Sequence, residues 1–286
     1  MPDPVTCPIE LRPTSVSRPA LLFVLSSTVY AATLNPASIQ AWNRHLAAAE
    51  AKVTADAQKP AGFLWLDQSA NRRNRVHNGE IVADETYAPT EKTPDALIHD
   101  WTGAAFIPDA RIEDVIAVVR NYNHYKNYYS PTVIRSNTLE QNASLDHWTV
   151  TMMNQTLLLR IAVEADCQAT FTQVSDKRWY AISTSTQIHQ IDNYGRADQH
   201  RLPVDQGDGY IWRLASITRF EERDGGVYLE VEALGLTRDI PFGLRFILDP
   251  VVRRISRNSL LESLKQTGKA VDEFLATTEQ IAATNP

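Results

Sequence analysis

The sequence predicts an α+β fold in which a curved antiparallel sheet wraps around a long C-terminal helix. Three observations predict it. Runs between Leu97 and Arg238 alternate at the strand period of two, short polar turns join them, and after about Phe242 the period lengthens to that of a helix. Consecutive short connections imply an antiparallel meander, and a sheet with one apolar face needs a cover, which the last helix supplies.

Taken in order, Asn35-Pro36 offers an N-cap followed by proline at the first helical position, and Ile39, Trp42, Leu46 and Val53 recur at helical spacing until Pro60. Ser69 caps a short helix through Val76, closed near Gly79, and Ile81 to Tyr87 is extended. Ala88 to Ala96 is a loop. Strands are predicted over Leu97–Ile107, Val133–Glu140, Leu145–Asn154, Thr156–Val174, Arg178–Ile191, Tyr210–Glu222 and Gly226–Arg238, with one helix, Arg111–Val119, after the first. In the last segment Leu260, Leu261, Leu264, Gly268, Val271 and Leu275 share a stripe, and Pro250 is expected to kink the helix or divide it. The boundaries are 1–31 for a leader, 32–94 for an N-terminal segment packing on the domain, and 95–282 for the domain itself.

The 286 residues are 43% apolar and 22% charged, ordinary globular values, and a net charge of -6 excludes a polyanion-binding protein that works through clustered Lys and Arg. Arg72-Arg73-Asn74-Arg75 and Arg253-Arg254 read as solvated helix faces, with a transient contact to an anionic membrane as the other reading. Two cysteines, Cys7 and Cys167, make no disulfide framework, and Cys167 falls in a strand as a buried inert thiol. The apolar run Ala20 to Leu25, preceded by Arg12 and Arg18 and followed by Val29-Tyr30-Ala31, has the form of an export signal cleaved after Ala31. The expected location is periplasmic or secreted, with cytoplasmic as the alternative should the run be an ordinary strand.

Particular segments add to the element order. Ile107-Pro108-Asp109-Ala110-Arg111 through Val119, then Tyr122-Asn123-His124-Tyr125-Lys126 and Tyr128-Tyr129-Ser130-Pro131, resemble the exit from the first strand into the small helix of the START and polyketide-cyclase-like superfamily (SRPBCC, helix-grip). Glu230 to Pro241 followed by an apolar helix resembles a bacterial branch of the same group. The resemblance covers about residues 95 to 275. It implies the helix-grip fold and a cavity for lipids, quinones, sterols or polyketides, and carries no set of catalytic residues onto this chain.

Strand parity names the candidate lining. Arg213, Arg219 and Glu221 share one face, so Trp212, Leu214, Ser216, Thr218 and Phe220 point inward, as do Leu229 and Val231 opposite Glu230 and Glu232. Leu159, Ile161 and Val163 on one strand, and Trp148, Val150 and Met152 on another, complete the wall. Each also reads as packed core. Ala181, Ser183 and Ser185 alternate on a further strand, and so small a surface leaves room for a ligand. Tyr125 and Tyr129, with Tyr122 and Tyr128, either gate the mouth and anchor a head group or plug the end of the sheet.

No nucleophile elbow, zinc helix, phosphate loop or dinucleotide turn occurs, and the seven histidines lack metal-ligand spacing, so neither metal nor cofactor is expected. His189 is the one histidine retained as a general-base candidate. The reading is a binder or carrier of an apolar small molecule. A cyclase- or hydrolase-like enzyme in the same cavity and a solid-core protein-interaction module are the alternatives.

Overall fold

The computed structural model describes residues 32–86, 92–155, 160–239 and 245–284. The elements are β1 (Ala32–Thr33), α1 (Pro36–Ala57), a 3-10 turn (Trp65–Gln68), α2 (Ala70–His77), β2 (Val82–Glu85), β3 (Lys92–Thr93), β4 (Ala96–Pro108), α3 (Ile112–Val119), a second 3-10 turn (Tyr122–His124) and α4 (Tyr125–Tyr128). There follow β5 (Val133–Gln141), β6 (Asp146–Gln155), β7 (Arg160–Ser175), β8 (Arg178–Asp192), β9 (His200–Arg201), β10 (Gln206–Gly207), β11 (Arg213–Arg223), β12 (Gly226–Arg238) and α5 (Arg245–Thr284).

The main sheet runs β2-β4-β12-β11-β8-β7-β6-β5, every pair antiparallel, with β3 on β4 and β9 on β8. The meander expected from the short turns is present. Asp224 and Gly225, at φ 55 and 81, make the tight β11–β12 turn whose twist matches the flanking strands. Strand β4 pairs with β12 over its whole length, Gly103 opposite Val231, so the first long strand lies beside the last.

The helix starts follow their caps. Asn35 accepts from the Ala37 N–H at 2.9 Å and Pro36 opens α1, while Ser69 accepts from the Arg72 N–H at the head of α2. Helix α5 runs as one element from Arg245, carrying Pro250 inside its second turn, so of the expected kink or division the division does not occur. Its buried stripe, Leu260, Leu264 and Val271, packs on Trp101, Ala105, Phe220 and Leu229 of the sheet and on Ile112 and Val115 of α3. Gly103 permits this approach: a Cβ there would stand 2.8 Å from Leu264 Cδ1 and 3.1 Å from Leu260.

The opposite face is covered as well. Parity places Arg213, Arg219, Glu221, Glu230 and Glu232 there, and the charges imply solvent. Instead residues 34–76 cover it: Trp42, Val53, Phe63, Leu64, Leu66 and Val76 pack on Ala215, Ile217, Tyr228 and Leu234. Arg219 is 1%, Glu230 0% and Glu232 1% exposed. The buried charges survive because they are matched. Arg219 Nη1 reaches Glu230 Oε1 at 3.5 Å and Nη2 reaches Glu232 Oε2 at 3.0 Å. The two Glu230 oxygens also accept the Trp65 and Leu66 N–H groups at 3.0 and 3.1 Å, closing the first 3-10 turn onto the sheet. Around them Arg223 grips Asp67 through two bonds and Arg178 reaches Glu221 at 2.7 Å.

Burial pushes the Glu230 carboxyl up to about 7, outweighing the pull of Arg219 and the two N–H groups. A folded-state value above the unfolded one means that the native protein holds the proton more tightly. The associated stability is therefore present at pH below about 4.5 and is lost as pH rises through about 7. Denaturant titrations of wild type and Glu230→Gln at about pH 5 and about pH 8 are expected to show the wild type losing ground to the variant by about 1–3 kcal/mol at the higher pH. Parallel pH curves would refute this assignment.

Candidate functional site

The face under α5 carries two apolar clusters with an open strip between them. At the β4 side, α5 and α3 close over Trp101, Ala105, Ile107, Phe220 and Leu229. At the β6–β7 side, Tyr122, Trp148, Val150, Val163, Ala165 and Cys167 form the second cluster. Between them alternation along β12 reports the shape of the site. Outward Glu232, Leu234 and Leu236 are buried, whereas inward Val231, Ala233, Gly235 and Thr237 are partly exposed. Inward Leu214, Ser216 and Thr218 of β11 and Ser183 and Ser185 of β8 are partly exposed as well. A solid core would reverse that pattern, so along this strip, called the trough below, the inner face is incompletely covered and floored by small side chains.

Register fixes the floor. Ser216 lies opposite Ser183 on β8 and Ala233 on β12, and Ala233 lies opposite Trp101 on β4, giving one cross-strand row. Thr218, two residues on, stands opposite Ala181 and Val231. Among the described residues the hydroxyls of Ser183, Ser216 and Thr218 have no hydrogen-bond partner. Ser185 differs, because the Leu214 N–H donates to its Oγ at 2.9 Å where β8 bulges away from its neighbours.

The tyrosines form one wall. Tyr122 stacks on Trp148 at 4.1 Å and 10°, Tyr125 meets Tyr122 at 5.3 Å, and Tyr129 stands edge-on to Tyr125 at 4.9 Å. Their hydroxyls are already engaged: Tyr122 donates to Asp146 at 2.8 Å, Tyr125 to the Val119 carbonyl at 2.6 Å, and Tyr129 pairs with Thr267 of α5 at 3.0 Å. Of the two sequence readings, the geometry matches the plug. Burial raises the Tyr125 and Tyr129 hydroxyls above the usual phenol range.

Asp146, 1% exposed, anchors this wall by accepting from Arg120 Nε and Nη2 at 2.8 and 2.6 Å and from Tyr122. The strong hydrogen bonds hold Arg120 at the end of α3, and desolvation of the phenol against the carboxylate raises Tyr122. Asp146→Asn is expected to cost about 2 kcal/mol in urea denaturation, since an amide cannot accept all three donors. Beside it, a surface groove of about 590 Å³ opens between α3 and the β5–β6 hairpin, lined by Ile112, Ile116, Arg120, Asn121, Gln141 and Trp179.

The predicted lining residues divide accordingly. Met152, Ile161, Ser183, Ser185, Leu214, Val231, Tyr125 and Tyr129 border the trough and are partly exposed, while Trp148, Val150, Val163 and Leu229 are buried beneath it. Leu159 lies outside the described residues, as does the predicted leader. Trp212 packs with the outer-face cluster. It precedes β11, where Gly207 and Gly209 at φ 136 and 75 break the strand geometry, so parity does not reach it. His189 stands on the face opposite Ile188, whose side chain joins the Trp148 cluster, and its Nδ1 contacts the Leu202 carbonyl at 2.8 Å, fastening a loop. That removes it as a base acting on a trough ligand. Cys167 is buried, its thiol pushed up to about 12 by burial, as an inert core thiol should be.

Sheet, small helices and long covering helix define an α+β protein of the helix-grip class. No protein-family model matches the sequence, and no curated protein matches it. Its fold is similar to solved structures of human STARD10 (9% identity, 78% of this chain and 86% of that one, TM-score 0.44) and of a STAR-related lipid transfer protein from Xanthomonas axonopodis (16%, 65% and 96%, 0.39). It is likewise similar to the Zhui aromatase/cyclase from Streptomyces sp. R1128 (10%, 62% and 96%, 0.39).

Proposed function

We propose that this protein binds an apolar small molecule in the trough between the sheet and α5, and carries it outside the cytoplasm once the leader is removed. One observation bears the reading. On β11 and β12 the charged outward face is sealed while the small inward face is partly open, the reverse of what a solid core requires. A floor of Ala, Ser and Thr between two aromatic-rich walls provides room and apolar contact without a charged anchor.

Native mass spectrometry of the full chain, expressed with its own N-terminus in a bacterial host and followed by organic extraction, tests this. A stoichiometric apolar passenger is expected, together with processing after Ala31. An apo mass that persists after incubation with a total lipid extract would overturn the binding reading. An intact N-terminus would overturn the export reading alone.

A further inference from the structure

The polar groups of the trough select among apolar ligands. Among the described residues, the inward strand positions between the two clusters hold no Lys, Arg, Asp or Glu. The charges of β7, β11 and β12, such as Asp166, Arg219 and Glu230, point to the other face. The inward carboxylates at the margins are already engaged, Asp146 by Arg120 and Tyr122, Glu222 by the Ile112 N–H at 3.1 Å, and Glu85, opposite Trp101, by Arg253 of α5 at 2.6 Å. A charged head group drawn into the strip would lose its water and meet no charge on the strands between the clusters, while Arg253 at the margin is already paired with Glu85, so the exchange is unfavourable.

The same strip holds hydroxyls that need partners. Ser183 and Ser216 face each other across β8 and β11, Thr218 is next on that face, and none of the three has a hydrogen bond within the described residues. Trp101 continues the row beyond Ala233, with Glu85 of β2 on its far side, is 8% exposed, and its buried indole N–H has no acceptor. Buried polar groups are ordinarily paired, so the Trp101 N–H needs an acceptor, and the partly exposed hydroxyls beside it are free to donate to the same occupant's oxygens.

We propose that the ligand is an uncharged molecule with a carbonyl or hydroxyl oxygen part-way along an apolar body, held at that oxygen by Ser183, Ser216 and Thr218. The assignment rests on the apolar-binding reading above and narrows it. Such a ligand leaves its apolar ends to the Trp148 and Leu229 clusters and places its oxygen on the floor between them. A fatty acid or phospholipid, with charge at one end, does not match this pattern.

Binding of the full chain to matched probes delivered from cyclodextrin tests the assignment. The probes are a long symmetrical dialkyl ketone, the n-alkane and the fatty acid of the same carbon number, and a keto-steroid with its deoxygenated hydrocarbon. The ketone of each set is expected to bind roughly tenfold tighter than its hydrocarbon, with the acid no tighter than the alkane. The combined Ser183→Ala and Ser216→Ala variant, and separately Thr218→Val, should erode that advantage while leaving hydrocarbon affinity within about twofold. Equal binding of ketone and hydrocarbon, or preference for the acid, overturns the assignment and leaves the apolar-binding reading in place. Failure of every probe overturns both. The wild-type comparison decides the matter even where a variant does not fold.

Discussion

Replacing Arg219 by methionine is expected to lower the unfolding free energy by about 3–5 kcal/mol near neutral pH, roughly a 10 °C fall in melting temperature for a chain of this size. The residue is 1% exposed and is the cation facing both Glu230 and Glu232, which are themselves sealed beneath the N-terminal layer. Removing it leaves Glu230 and Glu232 in a medium that cannot solvate their charge. Its own Nε and the Oε1 of Glu232 lack partners already, so the network has no spare bonds to redistribute. The loss should be smaller at about pH 5, where the Glu230 carboxyl holds its proton, and small when Glu230→Gln and Glu232→Leu accompany the change. Differential scanning calorimetry at two pH values checks this. A shift below about 1 kcal/mol at both would mean that the N-terminal layer does not seal the outer face in solution.

Leu264→Ala should cost about 2–5 kcal/mol, because this side chain is 1% exposed at the centre of the α5 contact and the cavity it leaves is walled by sheet and helix. Its partner is Gly103. Gly103→Ala alone drives a Cβ to within 2.8 Å of Leu264 Cδ1 and is expected to cost about 1–3 kcal/mol by overpacking. Together the two changes should cost less than their sum, since the added methyl occupies space that the leucine vacates. Chemical denaturation of the four members of this cycle measures the coupling. Strict additivity would show that α5 does not lie on Gly103.

Much of the architecture was legible because strand parity and helix periodicity are local. The β12 limits Gly226–Arg238 agree with the predicted ones, and the Asn35 and Ser69 caps act as their positions imply. Parity also sorted the two faces of β11 and β12 correctly. What it could not give was the surroundings of the second face. Arg219, Glu230 and Glu232 have the composition of a solvated surface, and only their pairing across strands, Arg219 opposite Glu230, hints that they satisfy one another. Trp212 was misplaced by an irregularity that alternation does not encode, two positive-φ glycines, and the face of His189, retained only as a base candidate, is set by the bulge near Thr186. The tyrosine cluster was visible as composition, but its three hydroxyl partners lie on β6, α3 and α5 and so belong to the tertiary structure.

The pairing of β4 with β12 also governs how the chain reaches its structure. Gly103 and Val231 are separated by almost half of the sequence, so closing that ladder carries a large loop entropy before any bond repays it. Folding should therefore be slow for the protein's size, in the range of non-local β proteins. During synthesis β4, with Trp101, Ala105 and Ile107 on its apolar face, has no β12 to pair with until β5 to β11 have all been made. A chain stopped before Gly226 keeps the β5–β8 meander but leaves β4 with only the short β2 and β3 beside it, a long apolar edge prone to recruit strands from other molecules.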